Sequence, residues 1–124
     1  MLVYVMRAFW LIVAERIAES GMTLDEVALM FGERGKRLRA YMADPMATPA
    51  VYLILFATMF DTLPSALWDQ ANERGRLIER QVADGVACHR CGRAFAIGST
   101  SRPDGFGENG QLFRCLRQCP AVAG

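Results

Sequence analysis

The chain has 124 residues, of which 52% are hydrophobic, and this allows one compact domain with a small appended module rather than two full-sized cores. Its formal net charge of +1 neither favours nor excludes a nucleic-acid partner, so charge has to be considered locally. Two apolar stretches, residues 1–14 and 50–60, are too short to cross a bilayer, and the first has no small-residue cleavage site. We therefore expect a cytoplasmic protein without a membrane segment.

A first helix is predicted over residues 6–20, because apolar side chains recur there with the spacing of one buried helical face. These side chains are Phe9, Trp10, Val13 and Ile17. Gly21 is expected to end the helix, since glycine readily adopts the backbone conformation found just after a helix C-terminus.

Two shorter helices are predicted next. Thr23 followed by Glu26 has the spacing of a capping box, in which each side chain accepts a hydrogen bond from the other residue's backbone N–H. Gly32 is expected to end this helix, and a third helix is predicted over residues 34–43, before the Asp-Pro pair at 44–45. The side chains that these two helices are expected to bury are Leu24, Val27, Ala28, Phe31, Leu38, Tyr41 and Met42.

Two further helices complete the predicted bundle. Residues 49–60 are almost entirely apolar, which predicts a helix buried on most of its surface. Ser65 is expected to cap a last helix over residues 66–84, with Gly75 as a point where it can bend and Gly85 as its stop. The apolar positions of this helix are Leu67, Trp68, Leu77, Ile78 and Val82.

The residues after Gly85 have a different composition, with short apolar runs, glycines and paired cysteines. Residues 94–97 and 111–114 are predicted to be strands. The polar stretch between them, residues 98–110, is predicted to be a mobile loop.

All four cysteines of the chain lie in its last third, as the pairs Cys88 with Cys91 and Cys115 with Cys119. A module of this size needs a cross-link to fold, and two pairs of thiolates complete the tetrahedral shell of one Zn²⁺. A disulfide framework is the alternative, but it requires an oxidising compartment. We therefore predict one structural zinc ion held by these four cysteines, with His89 exposed beside it rather than bound to it.

The spacing of the cysteines resembles that of a zinc ribbon. It is also similar to the Ogr/Delta-type zinc finger of phage late-gene activators, through the two cysteine pairs and the run FRCLRQC at residues 113–119. A closed shell of four thiolates leaves no position for a reactive water, so the resemblance implies a structural site.

The predicted second and third helices meet the steric requirements of a tight helix-turn-helix. Ala28 supplies a small residue where the helices touch, Gly32 follows four positions later at the turn, and Leu38 and Tyr41 are apolar positions inside the second of the two helices. With these features, residues 15–68 resemble the Cro/XRE helix-turn-helix family. The resemblance implies a mainly α, five-helix bundle in which the helix from residue 34 is the recognition helix.

This resemblance implies that the chain binds double-stranded DNA. The N-terminal part of a recognition helix enters the major groove, where arginine and lysine pair with guanine edges and phosphate oxygens. The residues expected to contact DNA are Thr23, Arg34, Lys36, Arg37 and Arg39, with Arg37 on the flank of the helix. Gly35 also falls at a position that usually faces DNA, and Glu33 takes a place that is usually apolar.

Three segments are predicted: a helix-turn-helix domain over residues 1–70, a connecting helix over residues 71–86 and a Cys₄ zinc module over residues 87–124. Candidate dimer surfaces are the apolar N-terminus, residues 2–5, and the helix face at residues 77–78.

The predicted function is a sequence-specific transcriptional regulator that acts as a homodimer. RNA polymerase is a candidate partner of the arginines in the C-terminal zinc module. The alternative is a protein-binding inhibitor or antitoxin that docks on a host protein. No enzymatic activity is predicted, because the chain's one histidine lies between two zinc ligands and no nucleophile is paired with a base.

Overall fold

A computed structural model describes residues 2–90, 95, 101–107 and 110–115. These residues form five α-helices and one two-stranded antiparallel sheet. The helices are α1 (Leu2–Ser20), α2 (Leu24–Met30), α3 (Gly35–Ala43), α4 (Val51–Met59) and α5 (Pro64–Ala83), and the strands are β1 (Ser101–Gly107) and β2 (Gly110–Cys115). A short 3₁₀ helix, Pro45–Ala47, joins α3 to α4. The prediction of a mainly α-helical chain is confirmed.

The main core lies between α1 and the other helices. Its buried side chains are Val5, Phe9, Trp10, Ile12, Val13, Ile17, Leu24, Val27, Ala28, Leu38, Met42, Tyr52, Phe56, Leu67 and Ala71, with Ala57 beside them. Phe9, Trp10 and Phe56 pack edge to face, with ring centroids 5.4 to 6.0 Å apart. The buried indole N–H of Trp10 donates to Oγ1 of Thr48 at 2.8 Å, so the aromatic centre holds no unpaired donor at this point.

α4 differs from its prediction, since it buries only one face. Tyr52, Phe56 and Ala57 are buried, but 52% of Val51 and 55% of Ile54 remain exposed. The buried face packs on α5 and on two aromatic rings, that of Phe31 directly after α2 and that of Tyr41 in α3. Within the described part of the chain, no element covers the opposite face, so the apolar composition of this helix overstated its burial.

α5 starts one residue before its predicted cap. Leu63 is the N-cap and Pro64 occupies the first helical position, so the prediction that Ser65 caps this helix was wrong. Proline is favoured at that position because its fixed φ suits the helix and it has no N–H to leave unpaired. A domain boundary was predicted after residue 70, but α5 runs through this position without interruption. Gly85, with φ +75°, follows the end of the helix as expected.

A second, smaller core joins the helices to the hairpin. Ala8 of α1, Ile78 and Val82 of α5 and Ala87 are buried together, and Leu112 of β2 packs against them. Hydrophobic contacts therefore continue from the helical bundle into the C-terminal module.

The hairpin corrects the prediction of a mobile loop over residues 98–110, because β1 lies within that stretch. The register shifts by one residue between Pro103 and Phe106, so that two residues of β1 lie opposite one residue of β2. Gly105, with φ +85°, accommodates this bulge. The predicted strand over residues 111–114 is confirmed within β2, whereas the predicted strand over residues 94–97 lies outside the described residues except for Phe95, whose N–H donates to the carbonyl of Val86 at 2.8 Å.

No single helix among the described residues is long and apolar enough to cross a membrane. α4 and α5 together reach the required length and hydrophobicity, but the chain bends by 104° between them.

Candidate nucleic-acid interface and metal centre

The turn between α2 and α3 has the local geometry that the sequence predicts. Oγ1 of Thr23 accepts from the backbone N–H of Glu26 at 3.1 Å, and Oε1 of Glu26 accepts from the backbone N–H of Thr23 at 3.1 Å, which completes the capping box. Gly32 adopts φ +72° directly after α2. Ala28 is fully buried, and its carbonyl accepts from the N–H groups of Phe31 and Glu33, which fixes the start of the turn.

α3 has one anchored face and one exposed face. Gly35, Leu38 and Met42 are buried and recur every three or four residues, so they lie on the same side of the helix. The predicted DNA-contacting side chains are exposed: Thr23, Arg34, Lys36, Arg37 and Arg39. Arg34 is the N-cap of α3, Lys36 and Arg37 lie in its first turn, and Arg39 lies in its middle.

An ion pair connects α2 to this surface. The guanidinium of Arg39 donates twice to Asp25, with Nη1 3.2 Å from Oδ1 and Nη2 3.3 Å from Oδ2. The carboxylate lies over Gly35, since a Cβ atom at position 35 would be only 1.8 Å from Oδ1 of Asp25. Gly35 is thus covered by Asp25 from α2 and does not present an open surface, in contrast to the expectation from the family resemblance.

Glu33 and Arg37 form a second ion pair, with Oε2 of Glu33 3.2 Å from Nε of Arg37. A hydrogen bond with Tyr41, followed by the charge of Glu33, raises the pKa of Arg37. Glu33 therefore faces a cation of α3 rather than the core. Within residues 2–90, no ion pair is found for Arg34 or Lys36. On the exposed side of α3, these two cations are therefore the ones whose charge is not offset by a paired acid.

The candidate dimer surfaces are only partly accessible. In the N-terminal segment, Leu2 is exposed but Val5 belongs to the main core. In α5, Leu77 is exposed whereas Ile78 is buried in the second core.

Two of the four predicted zinc ligands can be located. Cys88 is buried, and Cys115 is partly buried at the end of β2. The backbone N–H of His89 donates to the carbonyl of Phe113 at 2.9 Å, so the segment that carries Cys88 is bonded to β2 two residues before Cys115. Cys91 and Cys119 lie outside the described residues, and within those residues no group of three or more potential metal ligands is found.

Besides β2, side chains of β1 and α1 hold the segment between the first two cysteines. Nε2 of His89 lies 2.5 Å from Oδ2 of Asp104, and Nε of Arg90 donates to the same oxygen at 2.7 Å. Nη1 of Arg7, in α1, donates to the backbone carbonyl of His89. Hydrogen bonds from Arg90 and then from His89 lower the pKa of Asp104 to about 2, so its carboxylate is ionised at neutral pH. His89 is partly buried and contacts an acid, rather than being exposed as expected.

Sequence reasoning did not single out Asp25 or Asp104. Asp25 precedes Arg39 by 14 residues, and Asp104 falls in a stretch that was predicted to be a loop, so no local pattern connects either acid to its partner. The chain was compared with protein-family models, with curated proteins and with solved structures, and none of the three comparisons found a match.

Proposed function

We propose that this protein is a sequence-specific DNA-binding transcriptional regulator, in which α3 enters the major groove and a C-terminal zinc ion is structural. The observation that carries the proposal is the division of α3 into two faces. Leu38 and Met42 hold one face against the bundle, while the opposite face presents several exposed cations.

A helix with this division suits DNA for two reasons. The major groove has the width of an α-helix, and a helix fixed along one side can place its other side against base edges with little loss of freedom. Arg34 and Lys36 lie at the N-terminus of α3, the part of a recognition helix that makes most of the base and phosphate contacts. A homodimer would join two such helices on a palindromic site.

The donor atoms of the C-terminal module fit zinc. Cys88 and Cys115 supply thiols from two segments that are hydrogen-bonded to each other, and Cys91 and Cys119 complete the four donors that a structural zinc site needs. Bound zinc would supply a cross-link between the residues after α5 and the end of β2. This role suits a module whose own core is small.

Selection of bound duplexes from a random DNA library tests the DNA-binding proposal. The wild type is compared with Arg34→Gln/Lys36→Gln, which removes two cations from α3, and with Arg76→Gln/Arg80→Gln, which removes two exposed cations from α5. We expect the wild type and the α5 variant to enrich the same palindromic motif, and the α3 variant to enrich none. Equal enrichment by all three proteins, or by none while all remain folded, would contradict the proposal.

A protein-binding function is the second candidate, and the exposed apolar side chains of α4 favour it. Val51 and Ile54 lie one turn apart on the face that no described element covers. A host protein docked there would be released by Val51→Ser/Ile54→Ser and unaffected by Arg34→Gln/Lys36→Gln. For a DNA-binding regulator we expect the opposite result: Arg34→Gln/Lys36→Gln should abolish the cellular activity, and Val51→Ser/Ile54→Ser should leave it unchanged.

A further inference from the structure

Asp25 and Arg39 form an ion pair across the two helices of the proposed DNA-binding unit, and neither residue's partner follows from local sequence. Asp25 lies in the first turn of α2, and Arg39 lies in the middle of α3. Both side chains are about half exposed or more, so the pair lies at the surface where DNA would approach.

The close packing at Gly35 gives this pair a defined position. Because residue 35 has no side chain, the carboxylate of Asp25 can settle over the first turn of α3. The guanidinium of Arg39 then reaches it with two parallel N–H···O contacts, the geometry in which arginine and a carboxylate hold each other most firmly. Any larger residue at position 35 would displace the carboxylate.

We propose that Asp25 is a positioning residue that determines specificity: it holds Arg39 in one orientation for contact with a base edge and prevents Arg39 from binding phosphates generally. The inference rests on the proposed function. In the unbound protein, Asp25 neutralises Arg39 and Glu33 neutralises Arg37, which leaves Arg34 and Lys36 to release counterions from DNA of any sequence. Non-specific binding should then have a salt slope of about −1.8 per chain rather than about −3.6, at about −0.9 for each phosphate neutralised.

Two variants distinguish the effect of the orientation of Arg39 on DNA binding from the effect of the net charge. Asp25→Asn removes the carboxylate, whereas Gly35→Ala keeps every charge and displaces the carboxylate by the added Cβ atom. Asp69→Asn, at an exposed position of α5, is the control for the loss of one negative charge. Arg39→Gln, alone and combined with Asp25→Asn, tests whether the carboxylate acts through this arginine.

The measurement is the affinity for a short random-sequence duplex as a function of KCl concentration, with thermal unfolding to verify that each variant is folded. We expect both Asp25→Asn and Gly35→Ala to steepen the slope by about 0.9, which is about a threefold greater loss of affinity between about 50 and 200 mM salt. Asp69→Asn should leave the slope unchanged, and Asp25→Asn should not steepen it once Arg39 is Gln. The preference for a selected duplex over the random one should fall in the first two variants, because the released arginine can bind phosphates of any sequence and is no longer fixed for a base edge.

Two results would overturn this inference alone, and a third would overturn the proposed function on which it rests. If the wild type binds duplex DNA but the slopes of Asp25→Asn and Gly35→Ala match that of Asp69→Asn, Asp25 does not restrain Arg39 and only this inference fails. If Asp25→Asn steepens the slope equally with Arg39 replaced, the carboxylate acts as a general negative charge and the inference also fails. If the folded wild type binds no duplex at any salt concentration, the proposed function itself fails.

Discussion

Gly75 of α5 lies directly against the backbone of Val5 of α1. A Cβ atom at position 75 would come within 2.9 Å of both the backbone nitrogen and the Cα atom of Val5, closer than packed atoms tolerate. The two longest helices therefore approach each other at the point between the main core and the second core. This contact explains a glycine inside α5 that the sequence alone indicated as a bending point.

Gly75→Ala should destabilise the protein although alanine is the better helix former. Alanine gains about 1 kcal/mol in helix propensity, but forcing the backbones apart costs about 1–3 kcal/mol. We expect a net loss of about 1 kcal/mol in the free energy of unfolding, measured by urea denaturation. Gln70→Ala, at an exposed position of the same helix, is the control, and a Gly75→Ala variant as stable as this control would contradict the close approach.

Thr23→Ala should lower stability more than Ser65→Ala, although both residues have the sequence features of a helix cap. The side chain of Thr23 accepts a backbone hydrogen bond at the start of α2, and its loss should cost about 1 kcal/mol. Ser65 lies inside the first turn of α5, after Pro64, so its replacement should change stability by less than about 0.5 kcal/mol. Thermal unfolding of the two variants side by side measures the difference, and equal losses would contradict the assignment of the caps.

Elements with local signals were predicted best. The capping box at Thr23 and the glycines at positions 21, 32 and 85 act within one helical turn, and the structure has each of them at a helix end. The exposed side of α4 and the strand β1 were not predicted, because burial depends on which elements pack nearby and strand pairing depends on a distant partner. The cations of α3 followed from composition, but the acid that pairs with Arg39 comes from another helix and could only be found in three dimensions.

The ion pair between Glu15 of α1 and Arg74 of α5 should make a small, pH-dependent contribution to stability. Oε2 of Glu15 accepts from Nη1 of Arg74 at 2.7 Å, and this hydrogen bond lowers the pKa of Glu15 below its ordinary value of 4.5. A lowered carboxyl pKa stabilises the folded state above the ordinary pKa, and the contribution is lost as the pH falls through the folded-state value. Because the side chains of Arg74 and Glu15 are 36% and 55% exposed, solvent screens the pair, and the contribution should be at most about 1 kcal/mol.

Glu15→Gln tests this contribution by urea denaturation at a series of pH values. The variant should be less stable than the wild type at pH 7 by a few tenths of a kcal/mol to about 1 kcal/mol. This difference should vanish in acid, where the wild-type carboxyl group is protonated as well. Glu19→Gln, at an exposed position near the end of α1, is the control, and a stability difference that persists unchanged in acid would contradict the assignment to ionised Glu15.

Removal of zinc should unfold the C-terminal module before the helical bundle. All four cysteines lie after α5, whereas the main core is built from helices alone. Native mass spectrometry should find one zinc per chain, and a strong chelator should abolish protection of the backbone amides of β1 and β2 from hydrogen exchange. The helical circular dichroism should persist in large part, and added Zn²⁺ should restore the hairpin. A wild-type protein that carries no zinc and is unchanged by chelator would contradict the proposed metal centre.

Asp104→Asn should weaken zinc binding although Asp104 is not one of the four predicted ligands. Its ionised carboxylate holds both residues that follow Cys88, at 2.5 Å from His89 and 2.7 Å from Arg90. Partners that orient a metal-binding segment typically change metal affinity by about ten- to a hundredfold when they are replaced, and asparagine would keep the size of the side chain while losing its charge. We expect the dissociation constant for zinc, measured by competition with a chromophoric chelator, to rise about tenfold.

The exposed control Asp69→Asn should retain the wild-type zinc affinity. If Asp104→Asn binds zinc as tightly as this control, the bulge in β1 serves only the hairpin and the segment after Cys88 needs no support from it. If zinc affinity falls while the helical bundle keeps its unfolding temperature, the effect is confined to the module, as expected from a carboxylate that is hydrogen-bonded to His89 and Arg90. That result would show that the bulge in β1 directs the side chain of Asp104 towards His89 and Arg90.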